Sequence, residues 1–277
     1  MMTAGAVRRP AVAGYYYPAD PAALAASIDA LAPAALERQP ALGAIVPHGS
    51  VAAAGRVLAA TLGRIALPAR CVIIGASHTD TWKPWSLMRE GAYLTPLGEV
   101  PVDADAAREL QAACPFLETD PEAQRGEHAI EVVLPVLQRL GPPELAIVPI
   151  ITGGDDADEF LALGVALAAC LRRWEPTLLI ASTDCSGFEP EAAAREQDEA
   201  LLSRLAALDA EGLIRRVRDH GVLMCGYGAA AAVVHAARRL GARRAILAGY
   251  ATSAEAGGDP HAVTGHAGLI VPAEARA

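Results

Sequence analysis

The feature that most constrains the fold is a regular alternation of short apolar runs with longer segments rich in alanine and leucine. The apolar runs show no polar–apolar alternation, which is typical of strands buried on both faces of a largely parallel sheet. Alternation of strands and helices over the whole length indicates an α/β fold with helices on both faces of the sheet. The predicted strands are 43–46, 71–74, 145–150, 177–180 and 245–248, and the predicted helices are 21–32, 52–64, 104–113, 128–140, 156–173, 190–207 and 226–240.

No linker, repeat or low-complexity tract divides the 277 residues, so we expect one domain over 1–277. Two segments depart from the alternation. Residues 82–102 carry several turn residues and no helical period, which indicates a hairpin or long loop at the sheet edge, where Trp82 and Trp85 could line a pocket. His261 and His266 belong to a Gly-rich segment that we expect to be a loop folding back over the site.

Charge and cysteine content argue against several classes of protein. A formal net charge of −9 without a Lys/Arg tract provides no field that would attract nucleic acid or an anionic membrane. The sequence contains neither the roughly 20 apolar residues of a membrane span nor the apolar core of a signal peptide. The five cysteines are odd in number and form no C-x-x-C, which fits reduced thiols. We therefore expect a cytoplasmic protein with no nucleic-acid or membrane partner, and the oligomeric state stays open.

Polar side chains follow three of the predicted strands. His48 follows the first strand, His78 the second and Asp184 the fourth. In open α/β sheets the ligand crevice lies outside the carboxyl ends of the strands, so these side chains could share a site suited to a metal or a polar substrate. The alternative is that each histidine caps the following helix or binds a loop carbonyl.

Two further candidates lie where helices are predicted to start. Cys225 precedes the last predicted helix, where free backbone amides and the helix dipole favour a thiolate, although most unpaired cysteines are small buried hydrophobes. His128 lies between Glu127 and Glu131, either of which could orient its ring as carboxylates do at metal sites, or simply pair with it. P-loop, dinucleotide-binding and serine-hydrolase motifs are absent from the sequence, which disfavours ATP, NAD and ester chemistry.

Taken together, the motifs resemble the MEMO family, known in bacteria as AmmeMemoRadiSam system protein B. The resemblance covers nearly the whole chain, and the segments occur in the family's order. They are Arg9-Pro-Ala-Val-Ala-Gly14, Tyr16-Tyr17-Pro18, Pro47-His48, Gly75-Ala-Ser-His78, Thr95-Pro-Leu-Gly98, Val102-Asp103, Glu127-His128, Leu134-Pro135, Ala181-Ser-Thr-Asp184, Cys225-Gly226 and Tyr250-Ala-Thr-Ser253. The family is similar in fold to the LigB-type class III extradiol dioxygenases. The resemblance therefore implies a three-layer α/β/α sandwich with a mainly parallel central sheet.

The resemblance also implies a metal site. Its ligands would be His48, His78 and Cys225, and Asp184 and His128 would move protons or contact the substrate. Two imidazoles and a thiolate leave coordination positions open and favour a divalent transition metal. Iron(II) is the favoured metal, and copper and zinc are the alternatives.

One departure from the family bears on catalysis. The family's histidine that resembles the dioxygenase base is replaced by Gly187, so we expect a roomier pocket and a substrate that is bulkier or does not need that base. The favoured function is redox or oxygenase-type chemistry on a small molecule in a metal-containing pocket. The alternatives are a non-catalytic module that binds a peptide or protein there, and a zinc hydrolase in which the metal acidifies a bound water.

Overall fold

The central sheet is assembled from the apolar runs of the sequence. The structure is a computed structural model, and it describes residues 5, 7–32, 37–79, 83–174 and 176–273. The strands are β1 (Val7–Arg8), β2 (Ala41–Val46), β3 (Arg70–Ala76), β4 (Trp85–Leu87), β5 (Ala92–Thr95), β6 (Gly98–Pro101), β7 (Glu118–Thr119), β8 (Ala146–Thr152), β9 (Thr177–Ser182), β10 (Gly187–Glu189), β11 (Ile246–Thr252) and β12 (Val263–Pro272). The helices are α1 (Pro21–Leu31), α2 (Val51–Leu62), α3 (Ala104–Ala113), α4 (Leu134–Leu140), α5 (Ala157–Leu171), α6 (Glu191–Ala206), α7 (Ala210–His220) and α8 (Tyr227–Arg239).

The middle of the sheet is parallel, in the order β2-β9-β3-β8. These strands are buried along nearly their whole length, as their continuous apolar runs predict. Antiparallel strands extend the sheet on both sides: β12 pairs with β2, and β4 pairs with β8. A small separate sheet has the order β1-β5-β6.

Helices cover both faces of the sheet. A Cβ added to Gly43 of β2 would lie 3.0 Å from Val233 of α8, and one added to Gly268 of β12 would lie 1.8 Å from the Oγ1 of Thr61 in α2. Gly43 pairs with Val271, three residues beyond Gly268, so the two glycines point to opposite faces of the sheet. The three-layer α/β/α architecture expected from the sequence is confirmed.

The start of α4 corrects one expectation. The helix begins at Leu134, and residues 129–133 form turns instead of the predicted first turns of a helix. Pro135 lies in the first turn of α4, where its fixed φ favours helix initiation and its missing N–H costs nothing. His128 therefore lies directly before a turn and not at a helix start.

The C-terminal half contains elements that were not predicted, among them α7 and β12. Helix α7 is capped by Asp209, whose side chain accepts a hydrogen bond from the N–H of Gly212, and it ends at Gly221 with a left-handed φ of 62°. The segment that contains His266, expected to be a loop, is the long strand β12. Its two glycines and one histidine weaken the strand signal, because glycine is depleted in strands.

The segment after β3 lies at the sheet edge, as expected, with β4 on β8 and a β5–β6 hairpin in the small sheet. Trp82 lies outside the described residues. Trp85 is buried against Phe116 and Phe160 and does not line the pocket described below, so its predicted role there is wrong. In the described part of the chain, no helix has the length and apolar character needed to cross a membrane.

Candidate metal centre

Three histidine rings meet at the carboxyl ends of the central strands. His48 lies between the end of β2 and Ser50, the residue that caps α2. His78 follows β3, and His128 lies in the connection that precedes α4. Because β9 pairs in parallel with both β2 and β3, the two connections leave the sheet at one edge. The ring centroids are 4.5 to 5.3 Å apart, and one nitrogen of each ring lies within 4.8 Å of the others.

Neighbouring oxygens fix the orientation of two of these rings. The Oγ of Ser182 donates to the backbone oxygen of Ala129 and lies 2.9 Å from the Nδ1 of His48, from which it accepts. The Oε1 of Glu127 lies 2.9 Å from the Nδ1 of His78, and its other oxygen accepts from the His78 backbone N–H. With both Nδ1 atoms engaged, the Nε2 atoms are the ones left to bind a metal.

Cys225 completes the cluster. Its Sγ lies 3.5 Å from the Nε2 of His48 and accepts from the backbone N–H of Asp184 at 3.4 Å. The residue directly precedes Gly226, the N-cap of α8, as the sequence predicts. Unlike the other four cysteines, which are buried, Cys225 is exposed, so it is not one of the small buried hydrophobes of the alternative interpretation.

The side chains of the cluster shift one another's pKa values. Loss of hydration around the thiol raises the pKa of Cys225, but the adjacent His48 and His78 outweigh this effect and lower the pKa to about 6. Burial lowers the pKa of His78, but hydrogen bonds to Cys225 and Glu127 outweigh it and raise the pKa to about 10. Burial and the nearby His48 lower the pKa of His128 to about 4. At neutral pH the metal-free site therefore holds a thiolate beside a protonated His78, and metal binding must release that proton.

Asp184 joins the cluster to a residue that sequence reasoning did not assign to the site. Its Oδ1 lies 2.8 Å from the Nδ1 of His266 in β12, and its Oδ2 lies 3.9 Å from the Nε2 of His48. Burial raises the pKa of the Asp184 carboxyl, but the two histidines outweigh it and lower the pKa to about 2. In the sequence, the only indication of this role is that His266 is a histidine, because the glycines around it hide the strand character of its segment.

The two glutamates that flank His128 have different roles. Glu127 orients His78, and its Oε1 lies 3.3 Å from the Nδ1 of His128. Glu131 faces away from the cluster and pairs instead with Arg8 and with the hydroxyl of Tyr17. Of the two carboxylates considered from the sequence, only Glu127 reaches the site.

The cluster opens into a pocket of about 680 Å³. Its rim carries two exposed apolar side chains, Phe188 at 80% and Leu223 at 60% exposure. Gly187 lines the same pocket, and a Cβ built on it would find only the backbone oxygen of Leu223, 3.9 Å away. The missing side chain at Gly187 thus leaves open space beside the site.

The donor set fits a first-row transition metal. Ligand atoms about 2.1 Å from one ion are at most about 4.2 Å apart. The three histidine nitrogens, within 4.8 Å of one another, need only small side-chain movements to meet that limit. Imidazole and thiolate together suit iron, copper or zinc and not magnesium or calcium.

Comparisons with known proteins agree with one another. A sequence profile described as "Memo-like protein" matches residues 8–270. The chain is 35% identical over 277 residues to a MEMO1 family protein of Methanopyrus kandleri, covering 95% of this chain and 98% of that protein. It is 32% identical over 265 residues to a MEMO1 family protein of Aquifex aeolicus, covering 95% and 98% of the two chains. The crystal structure of an uncharacterized protein of Escherichia coli K12 matches with a TM-score of 0.52 at 15% identity, covering 84% of this chain and 100% of that chain, which is a likeness of fold.

Proposed function

The chain belongs to the Memo-like protein family, and from that premise we propose that it is a metal-dependent enzyme carrying out redox or oxygenase-type chemistry on a small molecule. The metal is iron(II), with copper or zinc as the alternatives, held by His48, His78 and Cys225. We place this activity in the cytoplasm. The protein takes its substrate from solution and needs no nucleic acid or membrane.

One observation carries the proposal. Three imidazoles converge within 4.8 Å, and the Sγ of Cys225 lies 3.5 Å from one of them, at the floor of a pocket large enough for a small organic ligand. A protonated His78 packed against two further imidazoles and a thiolate is costly to bury without a function, because protonation of one ring disfavours protonation of the next and buried charges lose hydration. A shared metal ion removes both costs.

The residues of the site have separable tasks. Ser182 and Glu127 hold the rings of His48 and His78 with Nε2 inward. Cys225, with its lowered pKa, provides an anionic sulfur at neutral pH. His128 is neutral at that pH because of its lowered pKa, so its ring can bind the metal as a further ligand or accept a proton from substrate. The metal, when bound, would supply electron transfer and open positions for a donor atom of the substrate.

Metal analysis tests the proposal. The protein is purified anaerobically, with and without added iron, and its metal content is measured alongside that of His48→Ala and of His220→Ala. His220 is an exposed residue at the end of α7, so its replacement controls for non-specific histidine binding. We expect about one metal ion per chain for the unmodified protein and for His220→Ala, and a large loss for His48→Ala. Equal metal content in all three contradicts the proposal.

The apolar rim of the pocket supports a second candidate function. Phe188 and Leu223 are large, exposed side chains next to the cluster, a feature that also suits a site for an apolar peptide. In that case the protein is a non-catalytic binding module whose metal is structural. This second function is favoured if the iron-loaded protein turns over no small molecule and binds a peptide that Phe188→Ser no longer binds.

A further inference from the structure

His266 is a buried histidine with only one of its two ring nitrogens hydrogen-bonded in the described part of the chain. The residue is 2% exposed, and its Nδ1 is paired with Asp184 at 2.8 Å. Its Nε2 is buried and has no hydrogen-bond partner among the residues that the structure describes. Buried polar atoms are nearly always paired, so an unpaired one on a residue that lines a pocket indicates a place for a ligand atom.

The structure makes room for this ring on both sides. A Cβ on Gly49, the residue after His48, would lie 2.7 Å from the Cε1 of His266 and 3.3 Å from its Nε2, so only glycine tolerates the ring there. On β12, Thr264 pairs with Gly187 of β10 and shares a face of the strand with His266, two residues later. The ring of His266 therefore packs against the connection that carries His48, and it lines the same pocket as Gly187.

Asp184 determines which nitrogen of His266 carries the hydrogen. The carboxylate can only accept, and its Oδ1 also accepts from the backbone N–H of His48 at 3.3 Å. The Nδ1 of His266 must therefore donate, which leaves the lone pair on Nε2. This arrangement of aspartate, imidazole and free Nε2 is that of a general base.

We propose that His266 is a catalytic residue whose Nε2 accepts the proton of a hydroxyl group on a ligand bound over the histidine cluster, with Asp184 as its positioning residue. The ligand's O–H bond breaks, an N–H bond forms on Nε2, and the oxygen keeps the electron pair. Asp184 balances the charge of the resulting imidazolium. The inference rests on the proposed function, because the ligand's oxygen then faces the metal site.

The first test reads the tautomer in the metal-free protein. Nitrogen-15 NMR of histidine-labelled protein, with the His266 signals assigned by their loss in His266→Asn, is expected to show Nδ1 protonated and Nε2 bare. A proton on Nε2 with a bare Nδ1 overturns the inference. This measurement does not depend on metal loading or activity.

The second test uses 4-nitrocatechol, whose colour reports its ionisation, with the zinc-loaded protein, in which no electron transfer occurs. The variant His266→Asn keeps an N–H for Asp184 but removes the acceptor, and His261→Asn replaces an exposed histidine of the same segment as the control. We expect His266→Asn to bind the anionic probe about tenfold or more weakly, the usual effect of losing one charge-assisted hydrogen bond, while zinc affinity is unchanged. His261→Asn should behave as the unmodified protein.

The outcomes separate the two proposals. If the unmodified protein does not load zinc, the metal centre is wrong. If zinc loads but the probe does not bind, or binds equally to the unmodified protein and His266→Asn, the inference about His266 is wrong and the metal centre stands. Loss of zinc in His266→Asn also overturns it, because His266 then supports the metal and not the ligand.

Discussion

Cys225 is the residue whose chemistry depends most on its neighbours. An isolated cysteine is largely a thiol at neutral pH, and the loss of hydration within the cluster disfavours the ionisation of Cys225 further. Two histidines reverse that effect and lower its pKa to about 6, whereas burial raises the pKa of Cys71, in the core of β3, to about 12. The two cysteines have the same side chain, so the difference in their pKa values comes only from their surroundings.

The first prediction follows from this contrast. Cys225→Ser should weaken metal binding by more than about 100-fold, because it removes a ligand, and even the loss of a hydrogen-bonding partner of a ligand costs 10–100-fold. Cys71→Ala should leave the affinity unchanged, since Cys71 is buried in the core. Isothermal titration of the metal-free variants with zinc measures both. Equal affinities would show that the Cys225 sulfur is not a ligand.

Glu127 gives a second prediction at the same scale. Its carboxylate holds the ring of His78 and is itself 1% exposed. Burial raises its pKa, but His78 outweighs burial and lowers the pKa to about 2. Glu127→Gln keeps the shape but removes the charge, so metal affinity should fall about 10–100-fold. The same zinc titration measures this, and the control is Glu122→Gln, which alters a half-buried carboxylate paired with Arg125 and should leave the affinity unchanged.

At the scale of elements, the N-terminal segment is fastened to the turn before α4. Arg8 of β1 and Glu131 form an ion pair in which both side chains are fully buried. Glu131 also accepts from the backbone N–H groups of Ala11 and Val12, at 2.8 and 3.0 Å, and from the hydroxyl of Tyr17. Glu127 and His128 directly precede this turn, so this attachment also supports one wall of the site.

We therefore expect Arg8→Met to destabilise the protein by about 3–5 kcal/mol, because it leaves the Glu131 charge buried and unpaired. Arg9→Met is the matched control: Arg9 is the exposed neighbour, and its replacement should change the free energy of unfolding by less than about 0.5 kcal/mol. Urea unfolding of the metal-free variants measures both values. A loss below about 1 kcal/mol for Arg8→Met would mean that the ion pair does not hold the segment.

At the scale of the whole molecule, the core contains acids that stay protonated. Burial raises the pKa values of Cys71 and Cys114 to about 12, and the pKa of Tyr93 is raised for the same reason. In the unfolded chain these groups ionise near their ordinary values of about 9 to 10. The folded protein thus binds more protons than the unfolded chain in alkaline solution.

Folding stability should accordingly be complete below about pH 9 and fall as the pH rises toward 12. For one cysteine with pKa values of about 9 unfolded and 12 folded, linkage predicts a loss of about 2 kcal/mol at about pH 10.5. Urea unfolding at about pH 8 and pH 10.5 measures the loss, and Cys71→Ala should show a smaller one. An alkaline loss equal in the variant and the unmodified protein would mean that Cys71 does not contribute.

Local sequence determined the centre of the fold. Continuous apolar runs such as 71–74 and 177–180 are signals within a few residues, and they are the buried parallel strands β3 and β9. The placement of His48 and His78 at one sheet edge follows from the same signals, because parallel strands end on one side. Helix ends that depend on a nearby cap, such as that of α3 at Asp103, were predicted for the same reason.

Tertiary structure decided which side chains from distant parts of the chain touch one another in the site. Cys225 meets His48 from 177 residues away, and His266 meets Asp184 from 82 residues away, through the antiparallel return of β12 beside β2. No local period encodes such pairs, because periodicity reports which face of an element is buried and not which distant element covers it. The sequence therefore determined the layers and placed His48, His78 and Asp184 at one sheet edge, and the family resemblance added Cys225 and His128, whereas only the packing of distant strands brought His266 to Asp184.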